Sequence, residues 1–314
     1  MMAAMDDNNF MRYVYRGEER VNVLIPREAT HITVAEDCIF VRAYAFWRHP
    51  NIVEVSCHDK VERIEREAFY GCTRLRRVIM PGVKIVEGLA FGDCKALTDV
   101  ECGLEIIRES AFWNCRSLMN ISLLSTRVVE GGAFETCEAL TEVKFSSKLE
   151  RFDDGAFYGC YSLERITIPL KDGLITADNT FQECDNLMQV DLVERVELHD
   201  IVAALNLEVW KNDMSEEIDS INQILPDARA AGEWDYNANE WGDPGEKAQV
   251  IRRWIRSVLG KIIHYQAEHQ RLLNEAAATL QCALPHDILT NSVLPFVQLP
   301  SHTFEVEDQE MEER

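Results

Sequence analysis

The sequence predicts an α/β solenoid in which each short coil contributes one parallel strand and one short helical turn, followed by a helical C-terminal region. Three observations lead to this prediction. A unit of 21 to 24 residues recurs seven times in the first two thirds of the chain. Each unit ends in a stretch whose apolar residues alternate, as in a short strand. After Leu192 the repeat stops, and a long amphipathic pattern occupies residues 246–282.

The dipeptide Ala-Phe marks each repeat unit, and Thr180-Phe181 continues the series. Aliphatic residues stand six and nine positions after each Phe, and a Cys stands three positions after it in every unit except the first: Cys72, Cys94, Cys115, Cys137, Cys160 and Cys184. A unit of this length cannot enclose a core alone, so it buries its apolar residues by stacking on its neighbours. We expect repeats over residues 26–192, after a partly disordered N-terminal cap at residues 1–25.

The spacing within the unit assigns its local structure. The L-x-x-V-x-L stretch predicts a strand that pairs in parallel with the same stretch of the next coil. The Ala-Phe-x-x-Cys stretch predicts a helical turn, because Phe and Cys at i and i+3 share a face. The thiols then lie in a row inside the solenoid, one coil apart. A metal site needs thiolates that converge on one point, so we expect packing thiols and no metal ligands.

The full motif resembles that of a known repeat family. The pattern I-x-x-x-A-F-x-x-C-x-x-L-x-x-V-x-L is represented by Ile64, Ala68, Phe69, Cys72, Leu75, Val78 and, in the last place, Met80. This pattern resembles the BspA-type leucine-rich repeat. The chain as a whole is also similar to diatom proteins with this repeat, in Ile25–Val34, Arg252–Ala277 and Asn291–Phe304. The resemblance implies a leucine-rich-repeat solenoid with a helical tail, and it implies no catalytic residues.

Residues between the buried positions of each strand predict a solvent-facing surface. One column of this surface is Glu54, Arg77, Asp99, Asn120, Glu142, Arg165 and Gln189, and the other contains Ile79, Glu101 and Lys144. Lateral ion pairs are expected along the first column, in Glu54–Arg77–Asp99 and in Glu142–Arg165. The surface is either a polar face satisfied by its own pairs or a binding face for a protein partner.

Composition excludes several classes of function. The chain has 54 acidic and 32 basic residues, a net charge of −22, which disfavours binding to nucleic acid. No stretch of the sequence has the roughly 18 apolar residues of a membrane helix. The polar start at Met1–Asn9 lacks the pattern of a signal peptide, so we expect reduced cysteines and a cytoplasmic or nuclear location.

The C-terminal third predicts four segments. They are a capping helix at residues 193–212, an acidic linker at 213–245, a long amphipathic helix at 246–282 and a tail at 283–314. The apolar stripe of the long helix contains Ile251, Ile255, Val258, Ile262, Tyr265 and Leu272. Three interpretations of this basic amphipathic helix stay open. It packs back on the chain, it forms a self-associating coiled coil, or it binds a membrane or calmodulin.

No sequence motif for phosphate, nucleotide, zinc-protease or serine-hydrolase chemistry is present. The sequence therefore predicts a non-enzymatic protein–protein interaction scaffold without cofactor, metal or catalytic residues. The alternative is a structural, self-assembling protein that oligomerises through residues 246–282.

Overall fold

The computed structural model describes residues 3–5, 11–17, 25–193, 198, 208–228 and 246–281. Within these ranges the repeats stack as coils of a solenoid, which confirms the predicted fold. The solenoid has three faces. Two are sheets of parallel strands, and the third consists of turns. Each repeat has two apolar stretches that point into one shared interior, which is why it can contribute to both sheets.

The first sheet is built from the L-x-x-V-x-L stretch. Its side chains alternate between the interior and solvent because successive residues of a strand point to opposite sides. In spatial order its first part contains β1 (Ala3–Met5), β2 (Met11–Tyr15), β3 (His31–Val34), β5 (Glu54–Ser56), β7 (Arg77–Met80), β9 (Asp99–Cys102) and β11 (Asn120–Ile121). After an interruption the same face continues with β13 (Glu142–Lys144), β15 (Arg165–Ile168) and β16 (Gln189–Leu192).

The second sheet passes through an apolar residue that stands five positions before the Phe of each coil. Its strands have two residues each, too short for an alternating pattern to reveal them in the sequence. They are β4 (Phe40–Val41), β6 (Arg63–Ile64), β8 (Ile85–Val86), β10 (Ile106–Ile107), β12 (Val128–Val129) and β14 (Arg151–Phe152).

The third face differs from the predicted helical turn. The residues two before and two after each Phe from Phe46 to Phe157 have positive φ, as in Glu67 at 52° and Gly71 at 70°. This backbone points every second amide towards the following coil, so that Phe69 donates to Ala90 at 2.8 Å. A regular helical turn would direct its amides along its own axis and leave neighbouring coils without these bonds. In the described coils a 3₁₀ helix forms at Asp178–Phe181, in the last one.

The interior contains the predicted rows of rings and thiols. Ring centroids of successive phenylalanines from Phe46 to Phe157 lie 4.8 to 5.4 Å apart with nearly parallel planes. Each thiol of the row donates to the carbonyl oxygen of the Phe one coil earlier, as from Cys72 Sγ to Phe46 at 3.0 Å. Cys suits this position because it is small and carries a weak donor. Burial raises the pKa of Cys72 to about 12, which keeps the donor hydrogen in place.

The N-terminal segment extends the solenoid where it is described. β2 pairs in parallel with β3, and β1 pairs antiparallel with β2 at the end of the sheet. Tyr15 is fully buried, and its ring lies 5.3 Å from that of Phe46. Part of the predicted cap therefore belongs to the first sheet and to the row of rings.

A helix occupies part of the segment predicted to be an acidic linker. This helix, α1 (Glu208–Ile224), is followed by a 3₁₀ turn at Leu225–Asp227. The linker prediction is therefore wrong for residues 213–224. Met214, Ile221 and Leu225 are buried at helical spacing, so the acidic residues between them occupy the remaining faces of an amphipathic helix. Residues 229–245, most of the predicted capping helix and the tail at 283–314 lie outside the described residues.

The long helix α2 (Glu246–Gln281) stands in the place predicted for it. It runs antiparallel to α1, because Trp210 contacts Tyr265 while Glu217 accepts a hydrogen bond from Trp254 Nε1 at 2.9 Å. Its first turns lie against the last coil, where Gln249 donates to Asp178 at 3.2 Å. The two helices therefore cover the C-terminal end of the repeats.

Candidate protein-binding surface

The residues predicted to bind a partner lie together on the outer surface of the first sheet. In the first column, Glu54, Arg77, Asp99 and Asn120 are register neighbours, as are Glu142, Arg165 and Gln189. In the second column, Ile79 lies beside Glu101, and Lys144 projects from the same strand as Glu142. The two columns lie on both sides of the interruption of the sheet.

Ion pairs on this surface run mainly between the columns and not along them. Arg77 forms an ion pair with Glu101, which lies diagonally opposite on the neighbouring strand. This pair takes the place of the expected pairs of Arg77 with Glu54 and Asp99. Diagonal neighbours on adjacent strands are within reach of long side chains such as that of arginine. The expected pair of Arg165 with Glu142 is present at 4.0 Å, but Arg165 lies closer to Asp191, at 3.3 Å.

The interruption between β11 and β13 opens a groove of about 750 Å³ on this surface. Its polar lining comes from both columns and includes Arg77, Asp99, Glu101, Glu142 and Lys144. Its apolar lining includes Met119 and Leu124, whose exposed fractions are 49% and 55%. Half-exposed aliphatic side chains in a concave site are typical of a surface that contacts another molecule.

The sequence pattern did not reveal this groove. Met119 and Leu124 flank the strand stretch and are outside its inward and outward alternation. The signal that could have identified them is their apolar character at positions where the two neighbouring coils have polar or small residues, such as Thr98 and Thr141 beside Met119.

The predicted stripe of α2 is largely buried within the chain. Ile251, Ile255, Val258 and Ile262 are 0 to 3% exposed, and they belong to the core cluster that includes α1 and the last coil. Tyr265 is half-buried and donates to Asp213 at 2.6 Å, while Leu272, further along the helix, is half-buried. Packing back on the chain is therefore the arrangement that the structure has.

Cationic residues of α2 are matched by acids of the same chain. Arg252 pairs with Asp178, and Arg256 pairs with Asp172 at 2.9 Å. Lys261 contacts Asp213 at 2.8 Å, and this hydrogen bond holds the pKa of the Asp213 carboxyl below its ordinary value. The basic face predicted as a possible membrane or calmodulin site is thus largely neutralised inside the molecule.

The chemistry of the described residues contains no arrangement of three or more His, Cys, Asp or Glu side chains that could hold a metal ion. The nine described cysteines form no disulfide. No described helix is long and apolar enough to span a membrane. Burial raises the pKa of Cys57 to about 12 and that of the partly exposed Cys102 to about 11, which disfavours the nucleophilic thiolate form at both.

Comparisons with solved structures returned bacterial repeat proteins. A leucine-rich repeat protein of T. pallidum is 20% identical, with a TM-score of 0.40 over 60% of this chain and 78% of its own. One from Eubacterium ventriosum is 23% identical, with a TM-score of 0.35 over 42% and 43%. One from Bacteroides ovatus is 17% identical, with a TM-score of 0.27 over 54% and 62%. A search of curated proteins gave no match.

A family profile gives the stronger result. The profile of the BspA-type leucine-rich repeat region matches residues 39–126 and 105–223, with six copies. These matches span more than half of the 314 residues, and they cover the coils in which the rings and thiols are stacked. The chain belongs to the BspA-type leucine-rich repeat family.

Proposed function

We propose that this protein is a non-enzymatic scaffold that binds a protein partner on the outer surface of its first sheet. A repeat family supports a role in interaction or scaffolding in general terms, because a solenoid offers an extended surface held by one continuous core. The observation that carries the proposal is the groove at the interruption between β11 and β13. It combines half-exposed Met119 and Leu124 with charged side chains, the composition of a protein contact with an apolar centre and a polar rim.

The alternative, self-assembly through residues 246–282, has less support. The stripe that would form a coiled-coil seam is occupied by α1 and the last coil, with Val258 fully buried. A contact between copies would need a different face of α2, where Ile263 is 50% exposed. A single half-exposed aliphatic side chain is common on protein surfaces, so we favour the first sheet as the functional surface.

The test compares two double variants of the full-length chain with equal change of charge. Arg77→Glu with Arg165→Glu alters the outer surface of the first sheet. Arg63→Glu with Arg151→Glu alters the second sheet, and these four side chains have similar exposure, 46 to 50%. We expect proteins captured from a cell extract by the unaltered chain to be lost with the first pair and kept with the second. Equal capture by both double variants would contradict the proposal.

A further inference from the structure

We infer that the interruption of the first sheet binds an extended segment of the partner protein, which carries an aliphatic and a basic side chain. This inference rests on the proposed function and specifies the class of ligand for the same surface. Three features of the described residues support it. They are open backbone groups, exposed apolar side chains and one carboxylate that forms no ion pair within the described part of the chain.

Within the described part of the first sheet, backbone bonding between coils fails at one step, between β11 and β13. At the other steps the two amides that precede the central strand residue donate to one carbonyl oxygen of the previous coil. Thr98 and Asp99, for example, both donate to Arg76, at 2.9 and 3.2 Å. The corresponding amides, Thr141 and Glu142, form no such bond with Met119, and the described backbone pairs Ala139 with Arg116 instead.

Two amides and a carbonyl oxygen without a backbone partner among the described residues therefore belong to residues that line the groove, where the sheet would otherwise be continuous. An extended peptide satisfies such groups, because its own amides and carbonyl oxygens alternate along the strand direction. The neighbouring pair Leu123 and Phe145 remains in contact as an isolated parallel bridge. The opening is thus confined to Met119–Ser122 and Thr141–Lys144, a length that accommodates a few residues of a partner.

The apolar part of the groove provides a place for an aliphatic side chain. Met119 and Leu124 line the opening from β11's side, together with partly buried Ile121. Burial of an aliphatic side chain against them removes apolar area from water on both molecules. Met188 occupies the same position as Met119 three coils later and is 51% exposed. Met188 does not line the groove, so it provides a matched control.

Charge in the groove favours a basic partner. Arg77 forms an ion pair with Glu101, and Lys144 forms one with Glu142 at 3.1 Å. Asp99 accepts a hydrogen bond from Thr98 Oγ1 at 3.2 Å, and no ion pair to Asp99 forms within the described part of the chain. A Lys or Arg side chain of the bound segment would complement this carboxylate, and the net charge of −22 attracts basic segments in general.

A phage-displayed library of random 12-residue peptides is the probe for this inference. It is selected against the immobilised full-length chain, and synthesised winners are measured by fluorescence anisotropy. We expect enriched peptides to contain aliphatic and basic residues. They should bind Met119→Asp at least tenfold more weakly, Asp99→Asn several-fold more weakly and Met188→Asp unchanged. Hydrogen exchange at Thr141 and Glu142 should slow on binding.

Three results would overturn the inference. They are the absence of enriched peptides, equal binding to the Met119→Asp chain, and equal weakening by Met188→Asp. Peptides that depend on Arg165 but not on Met119 would place binding elsewhere on the sheet. In that case the inference fails while the proposed scaffold function stands, since the capture comparison decides that function separately.

Discussion

The ammonium group of Lys247 donates a 2.8 Å hydrogen bond to the carbonyl oxygen of Leu187 and so joins α2 to the last coil. The same nitrogen donates to the carbonyl oxygens of Cys184 and Asp185, each at 2.9 Å. Lys247 is 3% exposed, and its burial lowers the pKa of the ammonium group. Within the described residues no further coil follows the last one, and solenoids need such an end to be covered. One buried cation provides three of the donors that a further coil would otherwise offer.

Replacing Lys247 with Met should destabilise the docked helix. The substitution keeps most of the side-chain volume but leaves three carbonyl oxygens without their donor, and unsatisfied buried groups cost about 1–3 kcal/mol each. We expect the free energy of unfolding to fall by about 3 kcal/mol or more, measured by urea titration with tryptophan fluorescence. Arg253→Met, at an exposed position of the same helix, is the control. Equal midpoints for both variants would show that Lys247 does not anchor α2.

Thiol reactivity tests the interior of the solenoid. Burial raises the pKa of Cys72 to about 12, and Cys102 is partly exposed with a pKa of about 11. Because the thiolate is the reactive form, iodoacetamide at pH 8 should label Cys102 before Cys72, and Cys72 only after unfolding in urea. Mass spectrometry of tryptic peptides measures the order. Rapid labelling of Cys72 in the native chain would contradict the buried row.

The environment of His49 leads us to expect that the free energy of unfolding falls at acidic pH. It occupies the position of the thiol in the first coil, where Nε2 donates to Pro26 at 3.1 Å and Nδ1 accepts from the amide of Asn51. Only the neutral ring meets both contacts, and burial lowers the pKa of His49 below its ordinary value of 6.5. The hydrogen bond to Pro26 and nearby Glu28 oppose this shift, and Arg27 adds to it.

The sign follows from proton binding. Below pH 6.5 the unfolded chain binds more protons at His49 than the folded chain does, so the free energy of unfolding falls as the pH decreases towards the lower folded-state pKa. Well above pH 6.5, where the ring is neutral in both states, this group contributes no pH dependence. Urea unfolding between pH 7.5 and pH 5 measures the effect, with His49→Gln as reference. An identical pH dependence in the two chains would exclude His49 as the cause.

The repeating part of the fold was predictable because stacking makes one coil resemble the next. Phe69, Cys72 and Val78 recur at fixed spacing, and each must meet its own counterpart in the adjacent coil. Spacing specifies only which side a residue faces. It could not show that Glu67 has positive φ, because hydrogen bonds between coils determine that backbone conformation.

Two structural features, helix α1 and the groove, were not predicted from the sequence, for different reasons. Helix α1 was hidden by its acidic composition, although Met214, Ile218, Ile221 and Leu225 carry a helical spacing in the sequence. The groove was hidden because the motif continues through it without change. The absence of a hydrogen bond between the Glu142 amide and the Met119 carbonyl depends on how the two coils stack. At this step Leu123 of one coil pairs with the larger Phe145 of the next coil in the inward column.

Substitution in the stripe of α2 distinguishes packing within the chain from association between copies. Val258 is fully buried against this chain's own core, whereas Ile263 on the opposite side of the helix is 50% exposed. A buried unpaired charge is strongly destabilising, so we expect Val258→Glu to lower the free energy of unfolding by about 3 kcal/mol or more. Ile263→Glu should leave it nearly unchanged. Light scattering after size exclusion should give the same mass for the unaltered chain and for Ile263→Glu. If Val258→Glu instead converted a dimer into an equally stable monomer, the stripe would be an interface between copies, and its burial within one chain would not describe the protein in solution.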